Sequence, residues 1–195
     1  TETTGLPKNW KAPVTALDNW PRVIQLAWGA FDMEQNPLKT GNWLVHPDGW
    51  ELPKEKFWID NGFSTEQSII HGRPIEHIAS EFVADLQDCD FMVSHNLSFD
   101  HKVMGAELLR LGISSERRPI RICTKEASTE WCKIPFEGRK QYPGMGPQNY
   151  KWPKLSELHQ KLFGRDFEGA HDAMADVIAL KDCFFELIKI GVIKL

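Results

Sequence analysis

Four side chains that could carry out acid–base or metal chemistry lie in three short segments far apart in the chain. The segments are TETTGL at positions 1–6, HNLSFD at positions 95–100 and HDAMAD at positions 171–176. Carboxylates together with a histidine are the groups that metal-assisted transfer of a phosphoryl group requires. The candidate residues are Glu2, Asp100, His171 and Asp176.

Asp176 and His171 both lie where the last predicted helix begins. Asp176 falls on or beside the apolar stripe of that helix, where an ionised carboxylate is costly unless it is paired or bound to a metal. Alternatively, the stripe centres on Val177 and Ile178 and leaves Asp176 at a solvated edge. His171 belongs to the loop or the first turn, where it either exchanges a proton near neutral pH or has no chemical role.

Asp100 is also open to two interpretations. It begins an apolar helix face that continues at helical spacing through Met104, Leu108 and Leu111. An acid in the first turn also stabilises a helix through the dipole, with Ser98 as the candidate cap, and this role needs no chemistry.

The residues around these acids could contact a nucleotide. Glu2 is followed by the end of a strand that turns at a glycine, a sequence formed by Thr3, Thr4, Gly5 and Leu6. Such a turn exposes N–H groups toward a phosphate or a ribose. Asn96 offers an amide for hydrogen bonds and Phe99 offers a ring for stacking, although either could serve only the local loop.

The elements that must position these residues are predicted from local patterns. Strands are predicted at 22–33 and 42–46, joined across the turn-like NPLKTG at 36–41, and an amphipathic helix runs from Pro74 to about Leu86. Further strands are expected at 91–94 and 120–123, and further helices at 99–111, 125–133, 155–163 and 172–190. This order predicts an α/β domain with a mixed central β-sheet flanked by helices.

Taken together, the three segments resemble the motifs of a known family. TETTGL resembles the end of DxETTGL, HNLSFD resembles HNxxFD, and HDAMADV resembles HxAxxD of the DEDDh 3′–5′ exonucleases. This DnaQ-like superfamily includes the epsilon subunit of DNA polymerase III and RNase T. The motifs occur in the family's order, and the resemblance covers nearly all of residues 1–195 as a single domain.

The resemblance implies an RNase H-like fold that hydrolyses phosphodiester bonds from the 3′ end and releases nucleoside 5′-monophosphates. Glu2, Asp100 and Asp176 would bind two divalent cations, Mg²⁺ or Mn²⁺, and His171 would be the general base that deprotonates the attacking water. The substrate-binding residues that the motifs imply are Thr3, Thr4, Gly5, Leu6, Asn96 and Phe99.

The first acid of the family's motif would immediately precede Thr1. In the family this aspartate bridges both metal ions and follows the first core strand. We expect the natural protein to supply both the strand and the aspartate, because catalysis should collapse without them.

Composition limits the other classes of function. The 195 residues carry a formal net charge of -4, so a polyanionic substrate must be held by local basic groups or by metal ions. The sequence contains no apolar run near the roughly 20 residues of a membrane span and no secretory signal, and its four cysteines form no CxxC pair. We expect a cytoplasmic protein with no membrane partner.

The segment 134–153 combines basic and aromatic side chains with glycine and proline. These side chains are Arg139, Lys140, Tyr142, Tyr150, Lys151 and Trp152. They suit a single nucleic acid strand, through phosphate contacts and base stacking, but also suit a loop that packs its aromatic rings on its own core.

The sequence leaves two functions. The favoured one is an exonuclease acting on a single-stranded or frayed 3′ end of DNA, with RNA second, and with a polymerase subunit or a second copy as candidate protein partners. The alternative is a catalytically silent module that binds nucleic acid or a polymerase. The presence of all four candidate residues favours the enzyme, because a silent module would not need them.

Overall fold

The strands of the computed structural model, which describes residues 1–136, 150–169 and 172–195, fall into two sheets. The larger sheet has the order β1-β2-β3-β4, with antiparallel pairs except for the parallel β3 and β4, and the smaller pairs β5 with β6 in parallel. The strands are β1 (Glu2–Thr3), β2 (Val23–Phe31), β3 (Pro37–His46), β4 (Arg73–Pro74), β5 (Phe91–Ser94) and β6 (Ile120–Cys123).

Helices occupy most of the chain after β3. A short 3₁₀ helix at Leu17–Asn19 precedes β2. The α-helices are α1 (Lys56–Asp60), α2 (Thr65–His71), α3 (Ile75–Leu86), α4 (Leu97–Leu111), α5 (Thr124–Cys132), α6 (Leu155–Phe163) and α7 (Ala173–Lys189). None of the helices within the described ranges combines the length and the apolar character that a membrane crossing needs.

The helices bury their apolar faces against the strands in separate clusters. One cluster joins α3 and α4 to β2 and β3, and Val45, Ile78 and Val103 are almost fully buried in it. Another joins α5, α6 and α7, with Val93 of β5 and Ile122 of β6 packed against it. Because α7 also packs on β2, it connects the two sheets. The predicted α/β class, a mixed sheet flanked by helices, is confirmed.

The predicted turn between β2 and β3 was wrong in its position. β3 already begins at Pro37, and the turn is closed earlier by Asp32, whose Oδ1 accepts from the backbone N–H of Asn36 at 2.7 Å. Gln35 takes the left-handed conformation there, with φ 70°. The carboxylate therefore ends the strand before the proline and glycine of NPLKTG are reached.

A buried carboxylate fixes α4 against the start of β2. The Glu107 side chain is 1% exposed and accepts hydrogen bonds from Arg22 Nε at 2.9 Å and from the backbone N–H of Val23 at 3.0 Å. Arg110 Nη2 donates to the backbone carbonyls of Leu17 at 2.7 Å and of Trp20 at 2.8 Å, both of which lie just before β2. These bonds hold in place the helix whose first turn carries Asp100.

Candidate active site

Asp100 joins two of the three candidate segments. Its Oδ2 accepts a hydrogen bond from Ser94 Oγ at 2.5 Å, and its Oδ1 accepts one from Thr1 Oγ1 at 2.7 Å. Ser94 is the last residue of β5, while Thr1 directly precedes β1. The carboxylate is 20% exposed, so it lies at the surface of this junction and is fixed by hydroxyl donors on both oxygens.

The TETTGL segment is held at the edge of β2. Glu2 is the register partner of Gln25. Thr4 is bonded to Arg22 in both directions, because Thr4 N donates to Arg22 O at 2.9 Å and Arg22 N donates to Thr4 Oγ1 at 3.0 Å. Gly5 then adopts φ 151°, a backbone conformation that favours glycine. The chain consequently leaves the sheet directly after the two threonines.

Apolar and aromatic side chains surround the end of this segment. Leu6 is 72% exposed. Trp58 Nε1 donates to the carbonyl of Thr3 at 3.0 Å and so places α1 against the segment. On the α4 side, the rings of Phe99 and Trp10 lie 5.7 Å apart between centroids, and Trp10 is 48% exposed. These surfaces could contact bases or sugars.

Asn96 occupies the N-cap position of α4 in an unusual way. Its backbone is left-handed, with φ 87°, and its side chain does not cap the helix. Its Oδ1 instead accepts a hydrogen bond from Lys125 Nζ at 2.5 Å. Ser98, which the sequence suggested as the cap, lies inside the helix, so that expectation was wrong.

Asp176 lies in the first turn of α7. The helix is capped by Asp172, whose Oδ1 accepts from Met174 N at 3.1 Å and from Ala175 N at 2.9 Å. Asp176 is half-buried, which agrees with the interpretation that places it on or beside the apolar stripe.

Gly29 of β2 faces α7. A Cβ atom added at Gly29 would lie 2.5 Å from the Phe31 ring of the same strand, and it would be in ordinary van der Waals contact with Val177 Cγ1 of α7 at 3.4 Å. Ile178 is 41% exposed and is not the centre of the buried stripe. The alternative interpretation of Asp176 at a solvated edge is therefore not supported.

His171 lies outside the described residues, as do Arg139, Lys140 and Tyr142 of the segment 134–153. The end of that segment is described. Lys151 Nζ forms an ion pair with Glu157 at 2.5 Å, and Trp152 is 37% exposed. The single-strand binding proposed for the whole segment stays a prediction.

The metal centre that the resemblance implies would need several carboxylates at one point. Within residues 1–136, 150–169 and 172–195, no group of three or more His, Cys, Asp and Glu side chains is placed to hold an ion. Asp100 offers two oxygens of the kind that hard cations prefer, but both already accept hydroxyl hydrogen bonds. The described residues therefore do not form a complete metal site by themselves.

A basic cavity adjoins the start of α4. Its volume is about 360 Å³, and its lining includes Leu97, Ser98, His101, Lys102, Arg121 and Glu126. Burial lowers the pKa of His101, and Arg121, Arg118 and Lys102 lower it further. Positive charge is therefore concentrated around His101, although the whole chain carries a net charge of -4.

Three residues with a role at this site were missed in the sequence. Ser94 donates a hydrogen bond to Asp100, Lys125 donates one to Asn96, and Trp58 donates one to the carbonyl of Thr3. Their signal was weak because each contact joins elements whose pairing is set by the fold.

Comparison with known proteins supports the fold. No protein-family model and no curated protein sequence matches the chain. E. coli Exonuclease I in complex with a dT13 oligonucleotide is similar with a TM-score of 0.69 and 19% identity, over 95% of this chain and 39% of that chain. The zinc-ion-bound complex of E. coli ExoI with ssDNA gives 0.70 and 19%, over 97% and 39%.

A further similar structure is the ExoI/SSB-Ct complex, with a TM-score of 0.65 and 17% identity, over 87% of this chain and 37% of that chain. The chain therefore spans about two fifths of the length of the solved chains that it matches. At this level of identity the similarity concerns the fold, and it confirms the predicted RNase H-like architecture.

Proposed function

We propose that the protein is a metal-dependent 3′–5′ exonuclease that acts on DNA in preference to RNA and releases nucleoside 5′-monophosphates. The observation that carries the proposal is the position of Asp100. It lies in an RNase H-like fold and is hydrogen-bonded to Thr1, the residue before Glu2, so that two of the three motif segments meet at one carboxylate.

In this proposal the reaction is hydrolysis at phosphorus. Water forms a new P–O bond, the bond to the 3′-oxygen of the preceding nucleotide breaks, and that oxygen takes up a proton. His171 would accept the proton of the attacking water. Glu2, Asp100 and Asp176 would hold two divalent cations, Mg²⁺ or Mn²⁺, whose positive charge stabilises the developing charge on phosphate.

The surroundings of Asp100 suit the 3′-terminal nucleotide. In the proposal, Thr3, Thr4, Gly5 and the exposed Leu6 would form one side of the nucleotide site, while Asn96 and Phe99 would form the other. Bases gain about 1–3 kcal/mol each from stacking on aromatic rings, whatever the sequence. The basic cavity beside α4 would contact phosphates upstream of the cleaved bond, which compensates for the negative net charge.

The register of β1 supports the expected position of the first acid. Glu2 pairs with Gln25, so a strand residue upstream of Thr1 would continue beside Ala27 and toward Gly29, where α7 packs. Among the described residues, Leu26–Phe31 pair only with β3. An aspartate upstream of Thr1 would accordingly lie on the side of β1 that faces Asp176's helix.

The alternative is a catalytically silent module that binds nucleic acid or a polymerase. A protein of this fold that lacked the upstream acid would still present Asn96, Phe99 and the basic cavity to a nucleic acid strand.

The proposal is tested with the natural full-length protein and an oligonucleotide labelled at its 5′ end. We expect a ladder of products shortened stepwise from the 3′ end, dependent on Mg²⁺ or Mn²⁺ and abolished by a chelator. Matched DNA and RNA strands compare the substrates, and a strand with a phosphorothioate at the last linkage controls for endonuclease contamination. Binding of the strand without any shortening would support the silent module instead.

A further inference from the structure

Asn96 and Lys125 occupy equivalent places after two paired strands. β5 ends at Ser94 and β6 ends at Cys123, and these two residues are register partners in a parallel pair. The carboxyl ends of parallel strands lie at the same edge of a sheet, which is where ligands bind in α/β folds. The side chains that follow by two residues therefore meet, although they are 29 positions apart in sequence.

Lys125 is fixed from several directions. Its Nζ lies 4.1 Å from the centroid of the Trp152 ring as well as 2.5 Å from Asn96 Oδ1. His95, which directly follows β5, holds the neighbours of Lys125 in place. Its Nε2 donates to the carbonyl of Pro153 at 2.9 Å, and its Nδ1 lies 3.0 Å from Thr124 Oγ1. Since a carbonyl only accepts, His95 carries its proton on Nε2.

These contacts determine how the Asn96 amide is turned. An ammonium group has three donors and no acceptor, so only the carbonyl oxygen of Asn96 can face Lys125. The amide N–H groups must then point away from the lysine. The N-cap position usually uses an asparagine side chain to accept from the helix backbone, and Asn96 does not do so.

We propose that Lys125 is a positioning residue that presents Asn96 as a hydrogen-bond donor to acceptor oxygens of the substrate's sugar–phosphate backbone. The inference rests on the proposed function, because that function makes Asn96 a substrate contact. Without Lys125 the amide could rotate and offer its oxygen to the substrate, which would repel a phosphate or sugar oxygen.

A double-mutant cycle on the natural full-length protein tests this coupling. Lys125→Met should raise KM for single-stranded DNA roughly tenfold and leave kcat nearly unchanged, since one substrate hydrogen bond is lost. Lys125→Gln, which keeps a donor, should restore part of the loss. Asn96→Gly should raise KM similarly, and the double variant should be no worse than Asn96→Gly alone.

Lys161→Met is the matched control. Lys161 also donates to a carbonyl oxygen, that of Cys132, and lies 5.4 Å from the centroid of the Trp131 ring, but it does not contact Asn96. Its loss should leave KM unchanged, which separates orientation of Asn96 from a general effect of removing a stacked lysine.

The outcomes distinguish this inference from the proposed function. An active protein in which the Lys125 and Asn96 effects add independently overturns the inference alone. A protein that binds a DNA strand without cleaving it overturns the exonuclease, and the same cycle measured as affinity by fluorescence anisotropy still decides the coupling. A wild-type protein that neither cleaves nor binds overturns both.

Discussion

The two helices that carry the proposed acids begin in opposite ways. At the start of α7, Asp172 uses its carboxylate to accept from the backbone N–H groups of Met174 and Ala175. At the start of α4, Asn96 makes no such bond, and Lys125 holds its side chain instead. At α7 the polar side chain of the N-cap residue stabilises the helix, whereas at α4 the N-cap side chain stays available for a contact with substrate.

The acids themselves share a position and differ in their surroundings. Asp100 and Asp176 both lie in the first helical turn, where the helix dipole favours a negative charge. Asp100 is fixed by hydroxyls from Ser94 and Thr1, which belong to other elements. The first turn of α4 is therefore fixed by side chains of other elements, while the N-terminal cap of α7 is formed by its own Asp172.

The largest expected effect comes from removing either acid's charge. Asp100→Asn and Asp176→Asn should each lower kcat by roughly 10⁴-fold or more, because transition-state charge stabilisation by a bound metal is worth several kcal/mol. Both variants should keep the wild-type circular dichroism spectrum. Near-normal turnover by one variant and not the other would show that the two helices do not contribute to one site.

His171→Ala should have the next largest effect. Loss of a general base costs about 10²- to 10⁴-fold in rate. The measurement is kcat across the pH range at saturating metal, with Asp172→Ala as the neighbouring control. A loss below about tenfold at the pH optimum would leave His171 with a positioning role only.

A pair of cap substitutions tests the comparison itself. Asp172→Ala should lower the free energy of unfolding by about 1 kcal/mol, because the cap bonds are lost. Asn96→Gly should change stability by only a few tenths of a kcal/mol, since glycine tolerates the left-handed backbone and no cap bond is removed. Urea denaturation measures both.

Activity should respond in the reverse order for the same pair. Asn96→Gly should weaken substrate binding, whereas Asp172→Ala should have the smaller effect on KM at a temperature where it is folded. Equal losses of unfolding free energy in the two variants would contradict the claim that Asp172 caps its helix and Asn96 does not.

The smallest effect concerns pH. Burial lowers the pKa of His95 from its usual 6.5; the bond to Pro153 and the charge of Asp100 oppose this shift, and Lys125 adds to it. Below about 6.5 the unfolded chain binds a proton that the folded chain resists, so stability contributed by neutral His95 is lost as pH falls. The melting temperature should therefore decrease less between pH 7.5 and 5.5 in His95→Gln than in the wild type. An identical decrease would exclude His95 as the source.

Local patterns in the sequence predicted the five longer helices α3 to α7 and most strands, and they left open whether Asp176 is half-buried or at a solvated edge. The residues that shape the α4 side could not be predicted in this way. Lys125 meets Asn96 only because β5 and β6 pair in register, and the left-handed backbone of Asn96 releases its side chain from the cap. The early start of β3 was missed because a side-chain carboxylate, Asp32, closes the turn.

The central claim is that water hydrolyses the terminal phosphodiester bond from the 3′ end. Incubating the natural full-length protein with single-stranded DNA in ¹⁸O-labelled water, followed by mass spectrometry of the released nucleotides, tests it directly. The proposal predicts nucleoside 5′-monophosphates that each carry a single ¹⁸O atom in the phosphate. Release of nucleoside 3′-phosphates, or of no mononucleotides at all, would contradict it.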